Sequence, residues 1–238
     1  MKIIRETLTN QVVSLLKDKI LRGELQPGSR VWAANLADEF DVSIAPVKEA
    51  LVILQMEGLI VNIPRRGSVV RQLTLKEASD LSELRLIVEE AAVRRGVLSE
   101  RYTPEIIGQL AKLNLKIRQE VNDDDGSFKR VYPAFDYDTE FHHILIAASG
   151  NEAIVNWYKK ISIQALLLRF AGWNVGPRGI STYNEHESII QALRGGEVDI
   201  AAQAIGDHIL TIGEVIKNNA KFATDSENDF KEYSARRL

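Results

Sequence analysis

The chain has 238 residues, enough for two domains, and its 45% apolar and 26% charged content is that of a protein able to bury a core. It contains no cysteine, which excludes disulfides, thiolate metal sites, iron–sulfur clusters and cysteine nucleophiles, so any metal must sit on nitrogen and oxygen ligands. The net charge of -3 is uneven: residues 1–73 carry +2 and the remainder -5, a split compatible with a small DNA-binding end on an acidic body.

Along the chain, Leu8 to Leu21 is a predicted helix with Val12, Leu15, Leu16 and Ile20 in one apolar stripe, ending at Arg22-Gly23. Leu25-Gln26-Pro27-Gly28 is a turn, and Ala34 to Phe40 a short second helix. Ser43 is an N-cap for a third helix running to about Glu57, with Pro46 tolerated in its first turn. Leu59–Ile63 and Ser68–Arg71 read as short strands joined by the turn Pro64-Arg65-Arg66-Gly67. Helix, helix, turn, helix, hairpin is the order of a winged helix-turn-helix, in which the third helix enters the DNA major groove and the basic hairpin reaches the backbone or minor groove. A generic three-helix core with a surface hairpin would have the same pattern.

From Thr74 onward the pattern is helical throughout. Thr74-x-x-Glu77 and Thr182-x-x-Glu185 read as capping boxes, and Thr103-Pro104 as a cap followed by Pro at the first helical position. Six helices are expected, at about 75–98, 104–121, 131–148, 152–170, 182–194 and 197–218. Their breaks are Asn122–Gly126, Ser149–Asn151, Trp173–Gly179 and Gly195-Gly196. The fold class is therefore mainly α: an N-terminal winged helix-turn-helix (1–73), an antiparallel all-α bundle of about six helices (74–221) and a polar tail (222–238). No run of about 18 apolar residues and no signal-peptide core is present, so a soluble, cytoplasmic protein without a membrane partner is expected.

Three of the four histidines fall on apolar helix faces. His142 is one turn from Asp138 in a stripe with Phe135 and Leu145; His186 shares a face with Ile189, Ile190 and Leu193; His208 lies with Ala201, Ile205 and Ile212. Polar side chains aimed into a bundle are costly unless paired or metal-bound. Asp138, His142, His186 and His208 could thus form a nitrogen/oxygen metal site, or each histidine could be a satisfied core residue. His143 points about 100° away from His142 and stands apart. Arg85, in the stripe Leu81, Val88, Ala92, either packs its stem and pairs with Glu89 or turns its planar fork towards a carboxylate ligand. No Gly-x-Ser-x-Gly, Gly-x-Gly-x-x-Gly or Gly-x-x-x-x-Gly-Lys motif occurs.

Pro27-Gly28-Ser29-Arg30, Leu36-Ala37, Val42 to Leu51, Glu57-Gly58-Leu59-Ile60 and Pro64-Arg65-Arg66-Gly67 resemble the N-terminal domain of GntR-family bacterial transcriptional regulators. Asp138-x-x-x-His142 before Ala147–Asn151, Glu185-His186 before Ala192-Leu193, and the late His208 resemble the FCD domain of the FadR subfamily, with six helices suggesting its VanR-like group. The resemblance spans about residues 8–218.

It implies a homodimeric repressor or activator on a palindromic double-stranded DNA operator, and no enzyme. It also implies one divalent transition metal per chain (Zn, Ni or Mn) on Asp138, His142, His186 and His208. A small organic acid effector would complete the coordination, its carboxylate held by Arg85. The matching DNA-binding positions are Ser43, Ala45, Lys48, Arg66 and Gly67, to which Arg65 is added from its place in the same turn. Two positions depart from the family: Ile44 and Lys48 stand where arginines are usual, so bidentate reading of guanine is lost at the first and reduced to a point charge at the second. Two other readings are a metal-dependent enzyme acting on a small carboxylate, and a regulator whose metal is purely structural.

Overall fold

The structure, a computed structural model, describes residues 7–122, 128–168 and 175–217. The expected tail, the Asp123–Gly126 break and Trp173 lie outside them. The chain divides into two compact units. One comprises the residues up to Arg71 with Ser162–Leu167, and the other comprises Gln72–Ile161 and the residues from Leu168 on.

In the first unit, α1 (Leu8–Leu21) starts at Thr7, whose hydroxyl accepts from the Asn10 backbone N–H. It buries Val12, Val13, Leu16 and Ile20, whereas Leu15, placed in the stripe by spacing, is 45% exposed on the flank. A helix stripe of this width has one edge, and Val13 takes the inner place. α2 (Ala33–Glu39) is followed by Asp41 at φ 52, a conformation that Asp tolerates. α3 (Ile44–Met56) begins at Ser43, which has the extended backbone of an N-cap but makes no side-chain cap bond. Val47, Ala50, Leu51 and Leu54 form its buried face, packed on α1 and α2. β1 (Ile60–Ile63) and β2 (Gly67–Val70) pair antiparallel from Ile60↔Val70 to Ile63↔Gly67. Arg65 and Gly67 take positive φ to close the turn, and Arg30 adds one bridge against Val69.

In the second unit, α4 (Leu75–Leu98) opens with the expected capping box. The Glu77 N–H donates to Thr74 Oγ1 at 3.2 Å and the Thr74 N–H to Glu77 Oε2 at 2.9 Å. α5 (Pro104–Asn122) and α6 (Phe128–Ala147) follow, then α7 (Glu152–Ala165), which belongs to this unit as far as Ile161, and a 3-10 turn at Leu166–Leu168. Gly150 at φ 62 and Asn151, whose Oδ1 accepts from the Ala153 and Ile154 N–H groups, make the α6–α7 corner. α8 (Val175–Gly195) and α9 (Val198–Lys217) complete the unit. α4 lies on α9, α5 on α6 and α8, and α8 on α9. Val93, Leu110, Phe141, Leu145, Ile189 and Ile205 fill the space between.

The second capping box is absent. α8 starts seven residues before Thr182, so Thr182 lies inside the helix with its hydroxyl buried and unpartnered, and Glu185 is committed elsewhere. Gly176-Pro177 reads as a break in the sequence, but Pro within a first helical turn gives up no hydrogen bond and continues the helix. α6 likewise begins earlier than the expected 131, at Phe128, so Pro133 lies in its second turn rather than its first.

Candidate functional site

Asp138 and His142 come from adjacent turns of α6, His186 from α8 and His208 from α9; one potential ligand atom from each lies within 4.8 Å of all the others. All three rings are buried and Asp138 is partly exposed. His142 Nε2 is 3.2 Å from His208 Nε2, and Asp138 Oδ1 is 3.5 Å from His186 Nε2 and 3.9 Å from His142 Nε2. His186 lies flat on Phe141, centroids 3.9 Å apart and planes 3° from parallel, and neither of its ring nitrogens has a hydrogen-bond partner.

Two further carboxylates orient the rings from behind. His142 Nδ1 donates to Glu89 Oε2 at 2.6 Å, and His208 Nδ1 to Glu185 Oε2 at 2.7 Å. Each glutamate is also gripped by an arginine, Glu89 on its other oxygen and Glu185 on both. Arg85 Nε donates to Glu89 Oε1 at 2.8 Å, and Arg178 forks onto Glu185 at 2.7 and 3.0 Å. Ser181 Oγ also donates to Glu185 Oε1, at 2.6 Å.

Burial alone would push Glu89 up, but the Arg85 charge and then His142 outweigh it and hold the carboxyl down at about 2. Glu185 is likewise pushed up by burial and held down at about 2 by hydrogen bonds from His208 and Arg178. Both are therefore carboxylates at neutral pH and can only accept, which places a proton on Nδ1 of His142 and of His208 and turns both Nε2 atoms inward. Burial lowers His208 against the pull of Glu185, and burial with the neighbouring imidazoles lowers His186 well below its ordinary value.

Ring nitrogens converging on one point, one imidazole of them buried without a hydrogen-bond partner, are unfavourable as a bare core and are the arrangement in which histidines hold a cation. The donor set, three nitrogens and a carboxylate, fits a divalent transition ion. The sequence stripes thus bring together all four expected ligands. His143 is outside the group, edge-on to Tyr158 at 5.6 Å. Arg85 is buried, and its Nε is taken by Glu89.

Sequence reasoning gave Glu89 only as a pairing partner for Arg85, assigned Glu185 to a cap, and missed Arg178. The i, i+4 pairing of Arg85 and Glu89 on a buried stripe was an available signal. The reach from Arg178 to Glu185 shows only once α8 is extended back to Val175.

In the first unit Ser43, Ala45 and Lys48 are exposed on the first turns of α3, and Arg65 and Arg66 are exposed at the tip of the hairpin; Gly67 is half-buried. Arg30, read in the sequence only as the end of the Pro27–Arg30 motif, lies over the Trp32 ring at 3.5 Å.

Residues 8–70 match the family described as bacterial regulatory proteins, gntR family, and residues 80–211, more than half of the chain, match the FCD domain. The chain belongs to the GntR family of bacterial regulators, with an FCD domain. Relatives include the Nta operon transcriptional regulator of Aminobacter aminovorans, 29% identical over 184 residues (77% of this chain, 82% of that protein). The transcriptional repressor RspR of Escherichia coli is 22% identical over 214 residues (89% and 90%).

Solved structures share the fold. E. coli McbR/YncC superposes with a TM-score of 0.75 at 20% identity, covering 90% of this chain and 98% of that one. A GntR regulator from Rhodococcus gives 0.74 at 23%, covering 88% and 98%. The FCD domain accords with the FadR subfamily, and the chain is a DNA-binding transcriptional regulator rather than an enzyme. No described helix is long and apolar enough to cross a membrane.

Proposed function

We propose that this GntR-family regulator is a cytoplasmic homodimer that binds a palindromic operator through α3 and the β1–β2 wing, and senses a small organic acid at a metal centre in the bundle. The observation that carries the sensing half is the convergence of Asp138, His142, His186 and His208, with the Nδ1 protons of two of the rings committed to Glu89 and Glu185. These four residues would hold one divalent ion, zinc, nickel or manganese being compatible with the donor set. When bound, the ion supplies Lewis acidity and open positions for a carboxylate.

Arg85 enters this reading through its terminal Nη groups, since its Nε is engaged by Glu89. Ser43, Ala45 and Lys48 face the major groove, and Arg65, Arg66 and Gly67 form the wing contact with the backbone.

The test is elemental analysis of the purified, untagged protein beside a His186→Ala/His208→Ala variant, each checked for helicity by circular dichroism. About one divalent ion per chain in the wild type and little in the equally folded variant is expected. No metal in either after incubation with divalent ions would reduce the histidines to core residues and remove the sensing half.

A further inference from the structure

α3 presents an unusual surface for a helix that reads bases. Its buried face is Val47, Ala50, Leu51 and Leu54, and Ile44, its first residue, lies outside that face, 42% exposed. Ala45 and Lys48 are exposed beside it, and the outward face continues through Val52 (55% exposed) and Met56 (75% exposed). The other acidic or polar group of this face, Glu49, accepts a hydrogen bond from Thr9 on α1 at 2.7 Å.

In its first two turns the helix therefore carries one long cation and no arginine, asparagine or glutamine, the residues that make bidentate contacts to guanine or adenine. An exposed branched alkyl group on a DNA-facing helix is complementary to one feature of the major groove, the 5-methyl group of thymine. The sequence on either side of it is suited to phosphate: Lys48 one turn on, and Arg65 and Arg66 at the tip of the hairpin, all exposed.

We infer that Ile44 is a specificity-determining residue, reading thymine in each half-site by van der Waals contact between its side chain and the 5-methyl group. The inference rests on the placement of α3 in the major groove given under Proposed function. The cations fix register and supply affinity, and the apolar contact supplies discrimination, so the half-site has an A·T pair under the start of α3.

The experiment first enriches duplexes from a random-sequence library on the intact protein. Each thymine of the selected site is then replaced by deoxyuridine, which keeps base pairing and the O4 acceptor and removes only the methyl group. At one position per half-site the substitution is expected to weaken wild-type binding about fourfold, the worth of one buried methyl. Ile44→Ala is expected to bind both duplexes alike. Ile44→Arg, whose side chain is solvent-facing and leaves the core untouched, is expected to enrich guanine at that position.

Wild-type binding that is indifferent to deoxyuridine at every position overturns the inference, as does an Ile44→Ala variant that keeps the full sensitivity. If Lys48→Ala still weakens binding in that case, the placement of α3 stands without it. Failure to enrich any duplex removes both.

Discussion

In the winged-helix head the candidate DNA-contacting residues stand in solvent at the start of a helix and the tip of a hairpin, and Ser43 leaves even its cap bond unmade. In the bundle the candidate ligands are buried and arranged in series, arginine to glutamate to histidine, from two sides of one point. The first arrangement lets one side chain change with little consequence for its neighbours. The second makes each member depend on the next, because removing one leaves a charge or a ring nitrogen buried without its partner. A regulator built this way can change exposed residues of its head singly while the buried cluster of its bundle stays fixed.

The largest effect that would test this contrast lies at Glu89. Glu89→Ala strands the buried Arg85 guanidinium and releases His142 Nδ1, and a loss of about 3–5 kcal/mol in unfolding free energy is expected by urea titration of metal-free protein. Replacing both members, Arg85→Met with Glu89→Met, removes the stranded charge and should restore most of that stability. It does not restore the His142 partner, so zinc affinity, read by competition with a chelating dye, should stay about 10- to 100-fold below wild type. A cost under about 1 kcal/mol for Glu89→Ala would mean that the series is not coupled.

A smaller effect separates packing from chemistry within the bundle. A Cβ built on Gly96 of α4 would stand 2.6 Å from Tyr102 Cε2, and the Tyr102 hydroxyl is anchored by donating to the Leu145 carbonyl at 2.9 Å. Alanine in a helix interior gains about 1 kcal/mol over glycine, but overpacking of a held ring costs about 1–3 kcal/mol. Gly96→Ala should therefore destabilise by about 1 kcal/mol. On α5 the exposed Gly108 has nothing within 4 Å of such a Cβ, so Gly108→Ala should stabilise by about 1 kcal/mol. Thermal unfolding of the two variants under identical conditions checks the opposite signs.

What could be read in advance follows the same division. Amphipathic spacing located every described helix and all four converging candidate ligands, because a histidine at i, i+3 or i+4 from buried Ile and Leu must share their face. The residues behind the ligands were not legible, because spacing gives a direction from one helix and not which side chains of other helices arrive there. Glu185 illustrates the failure. A threonine three residues before it imitates a helix start, and only the course of α8 back to Val175 brings Arg178 and Ser181 within reach of it. Ile44 was legible as a departure from its family but not as an exposed side chain, since exposure at the end of a helix depends on what packs against it.

The head should show the smallest change in stability and a clear change in function. Lys48 is exposed on α3, one turn beyond Ile44, so Lys48→Ala removes no core contact and should shift unfolding free energy by less than about 0.5 kcal/mol. If its ammonium neutralises one phosphate, the variant releases one counterion fewer per half-site. Operator affinity then falls, and the slope of log K against log salt becomes shallower by about 1 per half-site. Titrations of the same duplex at three or four salt concentrations measure both quantities. Lower affinity with an unchanged slope would mean that Lys48 contacts a base edge rather than a phosphate, placing discrimination on two residues of α3 instead of on Ile44 alone. Unchanged affinity and slope would take Lys48 out of the interface and leave the wing arginines to anchor the head.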